Sequence, residues 1–576
     1  MDKVEVDVDY KTEVGNQTPI ANDEKSQGVA RIEAISSSYT KVSLGLVLIG
    51  IFLFNAAFGL DSLTRTIFQT YATNSYSNHS LISTINVVHS IASAAIQPPI
   101  SIAANIFGRF ELFSFSIALY IIGTILEACS KNIETFAGAQ VIYTIGWRSF
   151  ILIFVILIAD ISSTRNRILF HSLTSISYLI ITWFSGNITS SIMANSTWEW
   201  GIAMWAIIIP VSAIPIFISL FMASRNAKKQ GKLDNIQPTF TGKNLWENLV
   251  ILFWRLDIIG IFIIAAILCL LLIPLTIAGG IATRWAHADI IVMLVLGILC
   301  IPAFIFWEIK FAKYPCVPFH LLNNRGVLSC FVISFLLNGC WYLQGDYLFT
   351  VLRVSFDLSD EPATRIYSLY PLVAVIASII AGLVIRYVRR AKWVAVIGAI
   401  IYILALGLMI KYRSSSENGI VGVTVAQVGL GLGGGLVYSI VQAIIQFETK
   451  HEHVAIITSL YLTVYTVGAA VGNSVAGAIW TNTLPGKLEE NFMGFNNATA
   501  LHSDAYGSPL TFIEKYPMGT PERSAMTGAY DYTQRILTIT GCAMAVPLLI
   551  ATLTLHDRLL GDTQSLPNAE ENENKK

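Results

Sequence analysis

Residues Ala56–Ser80 read AAFGLDSLTRTIFQTYATNSYSNHS. The stretch starts inside an apolar run over 42–60 and ends in a polar one. Asp61 closes the run and Arg65 follows one helical turn later. About 20 apolar residues are what a helix needs to cross a hydrocarbon core, so 42–60 is a membrane span. The drop in hydropathy after Leu60 puts Asp61 at its outer mouth, where water relieves the cost of a charge.

The same block length recurs along the chain. The 576 residues are 54% hydrophobic and only 13% charged, whereas soluble chains carry about a quarter charged residues. The pattern predicts an all-α membrane protein with fourteen spans, near 42–60, 81–102, 111–129, 136–159, 168–188, 201–222, 257–278, 288–309, 327–345, 367–386, 393–411, 420–446, 454–481 and 536–555. The glycine-rich VGLGLGGGLVYS of the twelfth span lacks the Gly-Lys-Ser/Thr of a phosphate loop and reads as a close helix contact. Zero formal net charge gives no case for a nucleic acid partner. No CxxC pair exists and six of the seven cysteines lie in or beside spans, which indicates neither a disulfide framework nor a cysteine metal site.

Orientation follows from the basic residues, which gather in cytoplasmic connections. With residues 1–41 inside as a disordered tail, the inner connections hold Arg109, Arg165, Arg167, Arg225, Lys228, Lys229, Lys310, Arg389 and Lys392. The glycosylation sequons at Asn78, Asn187, Asn195 and Asn497 then fall outside or at the outer edge, and that at Asn16 falls inside. Residues 223–256 become a cytoplasmic linker and 556–576 a second cytoplasmic tail.

The chain echoes itself. Span 1 ends FGLDSLTRTIF and span 9 ends LQGDYLFTVLR, which sets Asp61 and Asp346 in matching places. The implied plan is two pseudo-symmetric six-helix halves, 42–222 and 327–555, with two inserted helices at 257–309. Two such halves around a central site describe a rocker-type secondary transporter.

Ionisable groups inside a span are functional candidates because burying each costs at least about 2.5–3.5 kcal/mol. Arg148, mid-span, is a partner for substrate or carboxylate, or half of a structural ion pair. Asp61, Arg65 and Asp346 either face a cavity or are solvated at its mouth. His89 titrates near neutral pH when unperturbed and is a proton-cycle candidate or a hydrogen-bonded structural group. Trp341 and Tyr342 flank Asp346 and line the cavity or belong to an interfacial belt. Glu127 and Glu308, near span ends, read as side chains that snorkel to the interface. Arg109, Asp160, Arg165 and Arg167 read as an inner gating cluster. The long outer loop 482–535 reads as an ordered lid, with Tyr506, Phe512, Tyr516 and Arg523 offering aromatic faces and a cation to an incoming solute. No metal-ligand spacing, cofactor motif or nucleophile constellation appears, so the chain reads as no enzyme, and its energy source reads as an ion gradient, most simply protons.

Several stretches resemble the fungal siderophore–iron transporters of the major facilitator superfamily: LDSLTRTIFQTYATNSYSNHSLISTINVV, IADISSTRNR, TWFSGNITSSI, WEWGIAMWAI, FWRLDIIG, WEIKFAKYPCVPFHLL, GDYLFTVL, AVGNSVAGAIWTNTLP and AYGSPLTFIEKYPMGTPER. They cover nearly the whole membrane region in family order, and the ferrioxamine-type members resemble it most. Departures are Asn105 where the superfamily usually has an aspartate ahead of Gly-Arg, and Arg148, which many members lack. The drug-exporter Gly-Pro motif of span 5 is also missing. The resemblance implies a monomeric, proton-coupled importer of ferric siderophores in the plasma or endosomal membrane. Two other readings stand beside it: a proton exchanger for glutathione or a similar solute, and a non-transporting nutrient receptor. Topology is checked by glycan mapping: Asn497→Gln increases electrophoretic mobility, whereas Asn16→Gln leaves it unchanged.

Overall fold

The computed structural model describes residues 38–77, 79–161, 176–232, 244–278, 285–313, 324–413, 418–447 and 454–557. Its long helices are α1 (Lys41–Ser75), α2 (Ile82–Phe107), α3 (Arg109–Ala128), α4 (Ile133–Ile161), α5 (Tyr178–Asn195), α6 (Trp205–Lys229) and α7 (Ile258–Ile277). They continue with α8 (Ala288–Lys310), α9 (Arg325–Gly345), α10 (Asp360–Val388), α11 (Lys392–Tyr412), α12 (Gly419–Phe447), α13 (Val454–Phe492) and α14 (Pro521–Leu553). Thirteen helical segments among the described residues are long and apolar enough to cross a membrane. The fifth place in the series, expected at 168–188, is held by α5, which is polar where it packs, through Thr182, Ser185 and Thr189.

Each half has its own core. In the first, Phe54 meets Phe113, Phe150 and Phe154 at ring distances of 5.7, 5.0 and 5.0 Å, joining α1, α3 and α4. In the second, the glycine-rich stretch of α12 lies against two neighbours. A Cβ on Gly433 would stand 2.6 Å from the Gly398 carbonyl oxygen on α11, and one on Gly435 2.3 Å from that of Ala374 on α10. Those backbones meet only because side chains are missing there.

The halves join along two seams, α2 with α13 and α5 with α10. At the first, Gln97 donates to Thr466 Oγ1 at 2.9 Å and Asn473 to Ser90 Oγ at 3.2 Å. At the second, Thr189 and Thr364 hydroxyls lie 3.4 Å apart. The inserted α7 packs on the outside of the first seam, with Leu268 and Leu272 against Val87, Ile91 and Ala470. Helix α8 packs chiefly on α7 and turns Val292, Leu296, Leu299 and Phe306 outward.

Three helices overrun their expected ends. Helix α1 has 35 residues, about 50 Å at 1.5 Å per residue, so it continues well past Leu60. Helix α13 reaches Phe492 and α14 starts at Pro521, so the loop expected at 482–535 is largely helical, with Ala498–Gly507 and Pro509–Lys515 as short helices between. The reason is a four-residue repeat that hydropathy averages hide. Leu484, Leu488 and Phe492 are fully buried in one cluster with Met526, Ala529 and Tyr530.

This outer cap is fastened by Arg523, which is fully buried. Its guanidinium donates to the Val354 carbonyl at 2.9 and 3.1 Å, to Arg353 at 3.0 Å and to Ile513 at 3.3 Å. It thereby satisfies the free carbonyls at the ends of two short helices, Leu348–Val354 and Pro509–Lys515, where positive charge is also favoured by the helix dipole. The expectation that Arg523 reaches out for solute is corrected: the side chain is buried, and its donors are taken by these carbonyls and by Asp357 Oδ1 at 3.2 Å. Hydrogen bonds to a charged group contribute about 1.5–3 kcal/mol each. Arg523→Ala is therefore expected to lower the melting temperature in detergent and the surface level, while uptake per surface molecule changes little.

Candidate functional site

Inside the first half, α1, α3 and α4 bring six polar side chains to one point. Asp61 and Arg65 are one turn apart on α1, and Tyr120, Thr124 and Glu127 share a face of α3 at i, i+4, i+7. Tyr143 comes from α4. The helices approach closely enough because glycines face backbone on both sides. A Cβ on Gly123 would lie 2.3 Å from the Tyr143 nitrogen, and one on Gly146 2.6 Å from that of Tyr120.

The resulting network is dry. Asp61 and Glu127 are fully buried and Arg65 is 4% exposed. Arg65 Nε donates to Asp61 Oδ1 at 2.8 Å, Nη1 bonds Glu127 Oε2, and Nη2 reaches the Tyr120 and Thr124 hydroxyls at 3.3 and 3.2 Å. Asp61 Oδ2 accepts from Tyr120 at 2.6 Å and from Tyr143 at 3.3 Å. The Tyr143 ring lies 4.0 Å beneath the guanidinium carbon, in cation–π range. Two expectations are corrected here. Asp61 is not a solvated mouth carboxylate, and Glu127 does not snorkel: both pair with a cation that desolvation forces them to share.

A second constellation lies between the halves. Arg148 is half-buried on α4, 4.8 Å from the Trp147 ring. It makes no ion pair with a described residue, and its Nε has no hydrogen-bond partner. The groups in electrostatic reach include Tyr342, Tyr438 and Tyr465 from the opposite half and Tyr143 from its own. His89 stands beside it on α2, its Nδ1 held by Thr144 Oγ1 at 2.8 Å and Gln140 at 3.1 Å, with the Trp147 ring at 5.4 Å.

Asp346 terminates α9 and faces the other half. Its Oδ1 accepts from Asn86 at 3.1 Å, Asn86 accepts from Gln69 at 3.2 Å, and its Oδ2 is buried without a partner. Asp61 and Asp346 are thus not equivalent: one points into its own half, the other across the seam. By helix order within each half, the counterpart of the Arg65 network is Arg413 with Gln344 and Gln427. There Arg413 Nη2 donates to the Gln344 carbonyl at 2.6 Å and Gln427 to Gln344 Oε1 at 3.0 Å. Gln344 stands on the counterpart of α1, Arg413 on that of α3 and Gln427 on that of α4, so the cation has changed helix, and among the described residues no carboxylate pairs with it.

The seam closes toward the end that the charge pattern makes outer. Tyr71 donates to Asp360 at 2.6 Å, Tyr347 to the Ser80 carbonyl at 3.0 Å, and Asn74 to Thr511 at 3.0 Å. Tyr347 is also stacked on Trp480 at 3.8 Å and is 1% exposed, so it is a strut. Trp341 stacks on Tyr370 at 3.7 Å, and Tyr342 interacts electrostatically with both Arg148 and Asp346. In the outer cap Phe512 is buried against Tyr516 at 4.6 Å, while Tyr506 and Tyr516 keep partial exposure. Phe512, like Arg523, faces the core rather than an incoming solute.

At the inner end, Arg109 donates to the Ala104 carbonyl at 2.6 Å across the turn at Gly108, whose φ of +103° suits only glycine. Arg165, Arg167, Asn78 and the Asp160 side chain lie outside the described residues. Asn195 and Asn497 are exposed. Sequence reasoning missed Glu127, Tyr120, Tyr143, Tyr438, Tyr465 and Arg413 as site members. The i, i+4, i+7 polar stripe of α3 was the signal available for the first two.

Two six-helix halves that meet along two seams, with an unpaired cation between them, define a secondary transporter of the major facilitator type. The description "Major Facilitator Superfamily" matches residues 43–473. "Siderophore iron transporter 1" of Saccharomyces cerevisiae is 39% identical over 557 residues, 95% of this chain and 87% of that one. "MFS siderochrome iron transporter C" of Aspergillus fumigatus is 32% identical over 559 residues, 96% of this chain and 90% of that one. Among solved structures, a bacterial homolog of the human lysosomal transporter Spinster, inward-facing and unoccupied, superposes with a TM-score of 0.56 at 13% identity, covering 90% of this chain and 98% of that one; this likeness concerns the fold alone. The chain belongs to the siderophore–iron transporter family of the major facilitator superfamily, a family of carriers and not of enzymes.

The two arginines should respond oppositely to neutralisation. Arg65→Gln strands two buried carboxylates, and breaking such a pair costs about 3–5 kcal/mol, so a large fall in melting temperature is expected. Arg148→Gln strands nothing and is expected to melt close to wild type. Thermal unfolding of both variants in detergent checks the contrast.

Proposed function

We propose that this chain imports ferric siderophores of the hydroxamate class by proton-coupled symport, in the plasma or endosomal membrane. The observation that carries the reading is Arg148: a guanidinium between the halves with no ion-pair partner among the described residues, near Tyr342, Tyr438 and Tyr465. An unpaired cation inside a membrane protein needs a partner for part of its cycle. The oxygen atoms around a chelated ferric ion supply one, and guanidinium N–H groups and phenol hydroxyls are the donors that suit them. Iron arrives enclosed by its chelator, so the protein meets an organic surface of amide and hydroxamate groups. Trp341 and the tyrosines offer flat faces to its carbon linkers. The printed names of the relatives, siderophore and siderochrome iron transporters, favour the same substrate class.

In this reading His89 and Asp346 line the pathway beside Arg148. Asp346 marks the outer end, where its bond to Asn86 must break when the halves part on that side. Asp61 and Arg65 belong to the machinery that couples transport to protons, and Arg109 with Asp160, Arg165 and Arg167 gates the inner side.

The test is uptake of radioiron on hydroxamate and catecholate chelators by cells whose sole carrier is this chain, with and without a protonophore. Hydroxamate-bound iron should accumulate, and the protonophore should abolish accumulation. Arg148→Gln should raise the half-saturating concentration roughly ten- to a hundredfold, since a hydrogen bond to a charged group contributes about 1.5–3 kcal/mol. Iron delivered equally well by both chelator classes would remove the hydroxamate preference. Unchanged affinity in Arg148→Gln would remove Arg148 from the substrate site.

A further inference from the structure

The Arg65 network contains an imbalance. Two carboxylates, Asp61 and Glu127, share one guanidinium, and all three groups are almost wholly shielded from water. Among the described residues, the elements around Glu127 supply no second cation. Arg65 and Asp61 of α1 are the charged groups that face it, α3 adds Tyr120 and Thr124, and α4 adds Tyr143. Glu199, on the short helix Trp198–Ala203, interacts with Tyr76 instead. With both acids ionised, the site would hold one uncompensated negative charge in a medium that penalises it heavily. One proton restores neutrality.

The hydrogen bonds distinguish which acid takes it. Asp61 uses both oxygens: Oδ1 accepts from Arg65, and Oδ2 accepts from Tyr120 and Tyr143. Three donors fix it as the ionised form, because a proton on either oxygen would displace one of them. Glu127 uses only Oε2; its Oε1 is buried with no partner. A carboxylate oxygen left bare in that position is the costly arrangement, and a carboxylic acid there is the inexpensive one. By helix order the end of α3 that carries Glu127 corresponds to the end of α11, which carries Arg413, so the acid has no repeat in the second half.

We infer that Glu127 is the proton-carrying group of this transporter, with Asp61 as the fixed counter-ion that holds Arg65 in place. The inference rests on the proton-coupled reading given above and assigns it a residue. It also supplies a path to the substrate site. Tyr143, which bonds Asp61, and Arg148 lie five residues apart on α4, and between them Thr144 bonds His89 and Trp147 stacks on Phe58 of α1 at 5.2 Å. Tyr143 and Arg148 are about one and a half helical turns apart, and loss of the Glu127 proton changes the charge of the network that Tyr143 joins. The charge at one end and the occupancy of Arg148 at the other therefore bear on the same helix.

Two measurements test this. The first is an infrared difference spectrum, wild type minus Glu127→Gln, on purified protein labelled with carbon-13 at the side-chain carboxyl of either glutamate or aspartate. A protonated-carboxyl band that shifts with the glutamate label alone is expected. No band, or one that shifts with the aspartate label, overturns the assignment. Comparing carboxyl bands by label is needed because the two acids titrate as a coupled pair, so substitution of either one alters both.

The second is transport. Glu127→Gln mimics the protonated acid permanently, so it should keep substrate exchange between loaded and unloaded vesicles while losing protonophore-sensitive accumulation at least tenfold. Accumulation like wild type, or loss of exchange as well, overturns the proposal. If Glu127→Gln does not reach the membrane, Glu127→Asp serves: it should accumulate substrate with a displaced pH profile, and an unmoved profile overturns the proposal. Wild-type uptake indifferent to protonophore would defeat proton coupling itself, even with the infrared band present. Protonophore-sensitive uptake without the band would defeat Glu127 alone.

Discussion

The guanidinium of Arg65 is the point on which the first half depends. It ties α1 to α3 through Glu127 and stands over the Tyr143 ring of α4, so three helices are fixed by one buried cation. Its position follows from a steric choice elsewhere: Gly123 and Gly146 let α3 and α4 touch backbone to backbone. Side chains there would hold the tyrosines away from Asp61. The charge is tolerated because every donor of the guanidinium finds an acceptor or a ring face, which is the condition for burying an ion at acceptable cost.

Arg148 is the opposite case on the same helix. It is left with a bare Nε and a ring of phenols, a poor arrangement for stability and a good one for binding. The fold separates the two uses of arginine by direction. Arg65 and Arg523 face into a half and have their donors taken, while Arg148 and Asp346 face the opposite half and keep a spare donor or acceptor. Arg413, inside the second half, breaks the pattern: its Nε and Nη1 have no hydrogen-bond partner among the described residues. The polar contacts across the seam between the halves are single hydrogen bonds such as Gln97 with Thr466 and Tyr71 with Asp360. Weak, discrete contacts suit two rigid bodies that must exchange partners as they rock.

The outer cap shows the same economy in a different material. Its aromatic and proline residues read from the sequence as a capture surface, yet Phe512 and Arg523 close a small core against α13 and α14. Its contact with Asn74 and Ser80 on the first half makes it part of the outer closure. The cap joins the second half to the first at the end that shuts.

Apolar block length and the placement of basic residues determined the helical class, the fourteen-span plan and the orientation expected for it, because a membrane constrains length and charge residue by residue. The motif series determined the family for the same reason: it is local. The sequence also exposed Arg148 and Asp346, since a charge inside an apolar block is visible without a fold. What only the tertiary structure decided is who faces whom. Asp61 and Asp346 look equivalent in their local strings, but one turns to Arg65 and its tyrosines and the other to Asn86 across the seam. Glu127 looks like a residue at a span end and proves to be buried, because α1 runs on to Ser75 and carries its arginine to meet it. Hydropathy averages each helix over all its faces, and the direction a side chain takes is fixed only when neighbouring helices occupy the others.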